Sequence, residues 1–340
     1  MRSLALNLST AVVTLLLLGV LTFPASRILT APLDATPEPA RAATPVDSGR
    51  FFFGAYANPW HLGVWTRGVG ARPQLLAKFQ SFAQHRPVGD FLSRCERDGV
   101  RRVLISWEPW RPVPASLGGR AQGEPQFGYR NVDIASGAQD GYIRGFARAL
   151  RGFRGVVYLR YAHEMNGFWY PWSRNSRAYV RAWRHVVRVF RAEGARNVRF
   201  VWSVNPSLYL SRAQWLRRLE HFWPGRSYVD YVGSTVINFG GVKHYTVARF
   251  KPSLRLLRRT FHAPLMLTET NTERHGRVSW LRQLERLVAR NPWIRGAVWS
   301  QLPSRSKAQA GRKVGNLSWD VTRDPPAARV VRQIIGIGSG

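Results

Sequence analysis

Short apolar runs recur along this chain with amphipathic, helix-spaced segments between them, and that alternation admits few folds. The runs fall at 51–57, 75–82, 102–107, 156–161, 198–204, 231–237, 265–268 and 297–301. The second, LLAKFQSF, also fits a helix. Helical spacing appears over 142–150, 176–193, 211–222, 246–261, 279–290 and 327–335. In the second of these, Tyr179, Trp183, Val186, Val187 and Phe190 recur at three- and four-residue steps, an apolar stripe made to face a sheet. Strands that alternate with helices form parallel sheets. Eight such units predict an α/β fold of the closed (β/α)8 TIM-barrel kind, a single catalytic domain over 51–340. Of the 340 residues, roughly 290 remain once the first fifty are set aside, enough for one barrel with loop insertions. No GxGxxG or Walker pattern follows any strand, so a nucleotide-binding sheet gains no support.

The first fifty residues read differently. Arg2 precedes an apolar run over 11–23 (AVVTLLLLGVLTF), the charge and length of an export signal. With Leu4 and Leu6 the apolar stretch approaches the ~20 residues that span a bilayer, so 1–28 is either a cleaved signal peptide or a signal anchor. The Pro/Ala/Thr-rich stretch 29–50 reads as a linker. Both readings place the barrel outside the cytoplasm, secreted or held by its N-terminus, with no other membrane contact. Cys95 is the single cysteine, which excludes an internal disulfide, and it lies in a helical stretch as a packed, inert thiol. No CxxC or HExxH spacing is present, and the sequence calls for no metal and no cofactor.

A net charge of +32 ordinarily points to nucleic acid. Here the excess is almost wholly arginine, spread along the chain and along helix faces (Arg181, Arg184, Arg188, Arg191; Arg255, Arg258, Arg259) rather than gathered in an arm. That distribution reads as a solvated basic surface, with attraction to an anionic polymer as the functional alternative and a nucleic-acid partner disfavoured.

Barrel chemistry sits at the C-terminal ends of the strands. With 19 acidic residues in the whole chain, each strand-end carboxylate is informative. Glu108 ends the third run, Glu164 follows the fourth and Glu269 follows the seventh. Two such carboxyls can cleave a glycosidic bond, one protonating the leaving oxygen while the other attacks or activates water. Met165, Phe168, Trp169, Tyr170 and Trp172 crowd after Glu164, and aromatic faces of this kind pack on sugar rings. The competing reading makes these glutamates salt-bridge partners for the arginines. It is poor for Glu164, open for Glu108 and open for Glu269, which stands four residues before Glu273.

The run Arg160–Trp172 (RYAHEMNGFWYPW) resembles the signature of glycoside hydrolase family 26, a clan A barrel family whose type activity is endo-β-1,4-mannanase. Stretches at 53–60, 105–110, 134–142, 198–206 and 223–233 resemble it too. The resemblance implies a retaining endo-β-glycosidase with Glu164 as acid/base, His163 beside it and Glu269 as nucleophile. It also places Trp299 beneath the reacting sugar. Arg160 and Asn166 are expected to contribute hydrogen bonds in the site, with Trp169 and Trp172 lining it; Arg160 could equally be a buried structural arginine. His163 is expected to orient Glu164 rather than transfer protons. Retention requires the two carboxyls about 5–5.5 Å apart. The sequence departs from the family where a tyrosine after the sixth strand would hold the nucleophile, since Ile237 stands there. The seventh strand ends TETNT rather than Glu-Phe-Gly. Both changes fall around Glu269 and leave the substrate open among mannan, mixed-linkage glucan, xylan and an exopolysaccharide. The alternative reading is a catalytically silent carbohydrate-binding barrel that handles exopolysaccharide.

Overall fold

The computed structural model describes residues 49–83, 87–112, 124–206, 210–238, 246–301 and 319–338. The export segment read over 1–28 and nearly all of the linker over 29–50 lie outside the described residues. Eight strands pair side by side in parallel and the last closes on the first. They are β1 (Phe52–Ala55), β2 (Leu75–Ser81), β3 (Arg102–Glu108), β4 (Val156–Tyr161), β5 (Val198–Val204), β6 (Tyr231–Asn238), β7 (Leu265–Thr272) and β8 (Ile294–Trp299). The closed (β/α)8 TIM barrel expected from the alternation is present. The stretch LLAKFQS that fitted either element is strand. β8 begins three residues before the expected start, because Arg295 and Gly296 interrupt the apolar run that marks it.

Among the described residues the α-helices are α1 (Leu62–Val69), α2 (Val88–Arg97), α3 (Asn131–Ala135), α4 (Asp140–Arg151), α5 (Ser176–Ala192), α6 (Arg212–Phe222), α7 (Val247–Phe261), α8 (Arg277–Ala289) and α9 (Pro325–Gly336). Their starts follow capping chemistry. Asn175 accepts from the Ala178 N–H at 3.0 Å to open α5, and Ser211 and Gln214 cap each other's backbone to open α6. The stripe Tyr179, Trp183, Val186, Val187 and Phe190 is buried against the sheet. Cys95 is buried in α2, and burial pushes its thiol up to about 12, which keeps it unreactive. No described helix is long and apolar enough to cross a membrane.

Period-two alternation sorts the strand side chains into two cores. Val103, Ile105, Val157 and Leu159 face outward into the layer between barrel and helices. Phe52, Leu75, Leu104, Val156, Tyr158, Val201, Tyr231 and Met266 fill the barrel's interior. Tyr158 packs there between Phe52, tilted against it, and Tyr231, met edge-on, with ring centroids at 5.1 and 5.3 Å. Two to four residues further along, the same inward face becomes polar: Tyr56, Ser106, Glu108 and Arg160. The apolar plug forms the floor on which that polar layer rests.

β7 breaks the alternation. Met266 faces in and Leu267 faces out, so Glu269 would also face out in a regular strand. The register with β6 shifts, however: Ser234 lies opposite Leu267 and Thr235 opposite Glu269, leaving Thr268 as the extra residue. The same irregularity appears against β8. A bulge of this kind re-aims the side chains beyond it, and it turns Glu269 into the barrel.

Candidate active site

The polar layer at the C-terminal ends of the strands gathers three carboxyls around one arginine. Arg160, on the inward face of β4, is fully buried and donates through Nη1 to Glu269 Oε1 at 2.6 Å. The same nitrogen donates to Ser106 Oγ at 3.1 Å, and Nη2 reaches Thr235 Oγ1 at 3.5 Å. Thr235 in turn donates to Glu164 Oε1. The two predicted carboxyls are therefore joined by a chain of two side chains, Arg160 and Thr235. The other oxygen of Glu164 accepts from the Trp169 indole at 3.1 Å.

Local backbone geometry presents Glu164. Ala162 and Glu164 both take positive φ, 42° and 53°, a conformation that costs a non-glycine residue of order 1–2 kcal/mol. The surroundings hold them there. The Glu164 N–H donates to the Ser203 carbonyl on β5 at 2.8 Å. Asn166 and the Asn205 main chain exchange hydrogen bonds at 2.9 and 2.8 Å. Arg218, from α6, donates to the Asn166 and Gly167 carbonyls at 2.6 and 2.9 Å.

Burial sets the charge states. Burial opposes the Arg160 charge, yet Glu269, Tyr56 and Glu164 together outweigh it and hold the guanidinium firmly protonated. Burial pushes the Glu269 carboxyl above the usual carboxylate range; the Arg160 charge opposes this and the Glu164 charge adds to it. Glu108, at the end of β3, is pushed up to about 7, chiefly by burial, while its hydrogen bond from the Trp110 indole at 3.2 Å works the other way. His163 is held well below its ordinary value by burial and by Arg160, so it stays neutral. Its Nε2 pairs with the Tyr170 hydroxyl at 3.0 Å.

The sequence-predicted residues divide by what they can touch. Glu164, Glu269, Arg160 and His163 come together. Trp169 is half-buried beside Glu164 and open to a ligand. Asn166 is instead a structural staple, both ends of its amide taken up by Asn205. Trp172 is 2% exposed, donates to the His163 carbonyl at 2.7 Å and stacks on Tyr170, so it supports the loop rather than lining it. Trp299 corrects the expectation more plainly. It is fully buried, belongs to the outer core and donates to the Trp319 carbonyl at 3.1 Å. Val298, its neighbour, takes the inward position on β8. Ile237 is buried near the end of β6, where it offers no hydroxyl to Glu269.

Thr235, Tyr56 and Ser106 carry no signal of their own in the sequence, and Tyr170, read there as one of the sugar-packing aromatics, is bonded to His163 instead. Period-two counting back from Glu108 reaches Ser106, and counting forward from the inward Phe52 reaches Tyr56. A cavity of about 940 Å³ has Tyr56, Trp60, Phe79 and Phe91 among its walls, and Tyr56 connects it to the polar layer by accepting from Arg160. Among the described residues no group of acidic, histidine or cysteine side chains could hold a metal ion.

Comparison with known proteins gives this geometry a family. The model of glycosyl hydrolase family 26 matches residues 143–325, more than half of the chain. Endoglucanase H of Acetivibrio thermocellus is 26% identical over 253 residues, 70% of this chain and 24% of that protein. A β-1,3-xylanase, TXYA of a Vibrio species, is 34% identical over 103 residues, 30% of this chain and 21% of that protein. The chain thus spans about a quarter or less of the length of these curated relatives. The barrel is similar to GH26C of Muricauda sp. MAR_2010_75, with TM-score 0.59, 15% identity and coverage of 84% of this chain and 85% of that one. It is also similar to the β-mannanase BoMan26A of Bacteroides ovatus, with TM-score 0.55, 17% identity and coverage of 83% and 90%. The chain belongs to glycosyl hydrolase family 26.

Proposed function

We propose that this protein is a retaining endo-β-glycosidase in which Glu269 is the nucleophile and Glu164 the acid/base. The observation that carries the reading is the chain Glu269–Arg160–Thr235–Glu164 at the strand ends, two carboxyls joined through one cation and one hydroxyl. Glu269 attacks the anomeric carbon while Glu164 protonates the departing oxygen, and Glu164 then removes a proton from the water that releases the sugar. Arg160 supplies the positive charge that an ionised nucleophile needs in a buried site. Thr235 holds one oxygen of Glu164, and the other, which accepts from the half-buried Trp169 indole, is the one that meets the leaving group. The neutral His163, bonded to the Tyr170 hydroxyl, does not compete with Glu164 for a proton.

The substrate class is a β-linked polysaccharide. Relatives named as an endoglucanase, a β-1,3-xylanase and a mannan endo-1,4-β-mannosidase support mannan, glucan and xylan alike. The apolar run near the N-terminus supports export, either as a cleaved signal or as an anchor, and N-terminal sequencing of the mature protein distinguishes the two.

Purified protein incubated with a panel of β-glycans is expected to release oligosaccharides whose first-formed anomer is β, read by NMR. Glu269→Ala and Glu164→Ala are each expected to lower kcat by at least about a thousandfold, the scale of losing a member of a catalytic pair. An α anomer as first product would overturn the double displacement. Glycan binding without turnover by the wild-type protein would instead favour a silent carbohydrate-binding barrel.

A further inference from the structure

A second cavity, of about 540 Å³, lies behind the Glu164 loop, and its chemistry is unlike that of the aromatic one. Its walls are Phe168, Ser173, Arg174, Ser176, Arg218 and His221, with Gly167 and Phe222 completing them. We propose that this cavity binds an oxyanion, a carboxylate, sulfate or phosphate group carried by the glycan on the leaving-group side of the bond that is cut. The presence of an anion site follows from the cavity itself. Its place on the leaving-group side rests on Glu164 being the acid, because Gly167 and Phe168 continue the loop that carries Glu164.

Four observations converge. Arg218 is anchored by its bonds to the Asn166 and Gly167 carbonyls, has no carboxylate partner among the described residues, and keeps N–H groups beyond those two bonds. A guanidinium fork held in place by other contacts is pre-organised for an oxyanion. Arg174 adds a second cation; its pair with Glu124 at 2.6 Å joins two exposed side chains, 52% and 63% accessible. An exposed pair of this kind contributes little and yields to a better anion. The cavity also opens on the N-terminus of α5, a 17-residue helix with no acidic side chain in its first turn. Asn175 already takes the Ala178 N–H, so what this helix start offers an anion is the positive end of its dipole. Finally, Ser173 is 4% exposed, and its hydroxyl has no hydrogen-bond partner among the described residues. A buried hydroxyl left unpaired costs free energy that a bound acceptor restores. Phe168, 79% exposed at the rim, offers a ring face to the sugar that would carry the anion.

The test uses the full-length protein and two probes. Inorganic sulfate is titrated by calorimetry at constant ionic strength, and hydrolysis of a neutral β-glycan is compared with that of its carboxymethylated form. Wild type is expected to bind sulfate saturably at one site. Arg174→Glu is expected to weaken this at least about tenfold, the size of one charge-assisted hydrogen bond, and to lower the carboxymethylated-to-neutral ratio of kcat/KM by a similar factor. Ser173→Ala, a change that keeps the charge, is expected to weaken sulfate binding two- to fivefold, in the range of a neutral hydrogen bond. Arg188→Glu, an equal change of charge on an exposed position of α5, is expected to alter binding less than twofold. Non-saturating binding, or equal loss in Arg174→Glu and Arg188→Glu, would reduce the effect to diffuse surface attraction and overturn the site. Sulfate binding that persists in Glu164→Gln separates the two readings. If that variant still hydrolyses the glycan, the assignment of Glu164 fails while the anion site stands.

Discussion

Arg160 carries the heaviest electrostatic duty of any single residue, since three carboxyls converge on one permanent cation. Breaking a buried pair by removing one partner leaves an uncompensated charge and costs about 3–5 kcal/mol. Arg160→Met is therefore expected to unfold in urea with a loss of that size, whereas Glu269→Gln, which leaves the cation beside Glu164, is expected to lose less. Chemical denaturation of the three proteins at neutral pH checks the order. Glu108 makes a prediction about pH. Its folded-state value, about 7, stands above that of an unfolded glutamate. Below the unfolded value both states hold the proton. Between there and about 7 only the folded state does, so stability falls as pH rises and levels off above that point. The shift corresponds to an effect on the order of 3 kcal/mol. In Glu108→Gln this part of the decline is expected to disappear, as read from denaturation midpoints between pH 4 and 8.

At the scale of elements, the loop after β4 and the bulge in β7 decide where the two proposed catalytic carboxyls point. Gly167 adjoins Trp169 so closely that an added Cβ would lie 2.6 Å from the indole ring. Gly167→Ala is expected to push the ring off Glu164 and to lower kcat about three- to tenfold, the worth of one hydrogen bond, with little change in Tm. Trp169→Phe should give a similar loss, and the double variant should lose no more than either alone; additive losses would show that the glycine acts elsewhere. The same elements show what the sequence discloses. Most of the strands are legible as short apolar runs, though β2 is equally readable as helix and Arg295 and Gly296 hide the start of β8. Glu164 is legible because a specific motif and an aromatic cluster surround it. The orientation of Glu269 is not legible, since regular alternation from Met266 points it outward and only the extra residue, Thr268, turns it in. Trp299 misleads for the reverse reason. A tryptophan at a strand end fits a sugar platform, and only the true start of β8 reveals that Val298 holds the inward position. Thr235 passes unnoticed because an isolated threonine in a strand of small and β-branched residues carries no signal; its role comes from lying opposite Glu269.

At the scale of the whole molecule, the barrel closes by pairing its two most distant segments: Phe52 lies opposite Gly296 and Ala55 opposite Trp299. This one seam spans nearly the entire described chain, and it has a consequence in time. While the protein is being synthesised, no length that stops short of β8 can complete the ring. Such a chain holds seven strands and two open edges, at β1 and β7, and open edges invite pairing with other chains. A version truncated before Ile294 is expected to associate and to lose the cooperative melt, as sedimentation and calorimetry would show. Adding the missing strand and the residues after it as a separate peptide should restore part of the melt. β8 thus acts as a clasp: the ring stays open until residues 294–299 are made, and shuts only when they reach β1.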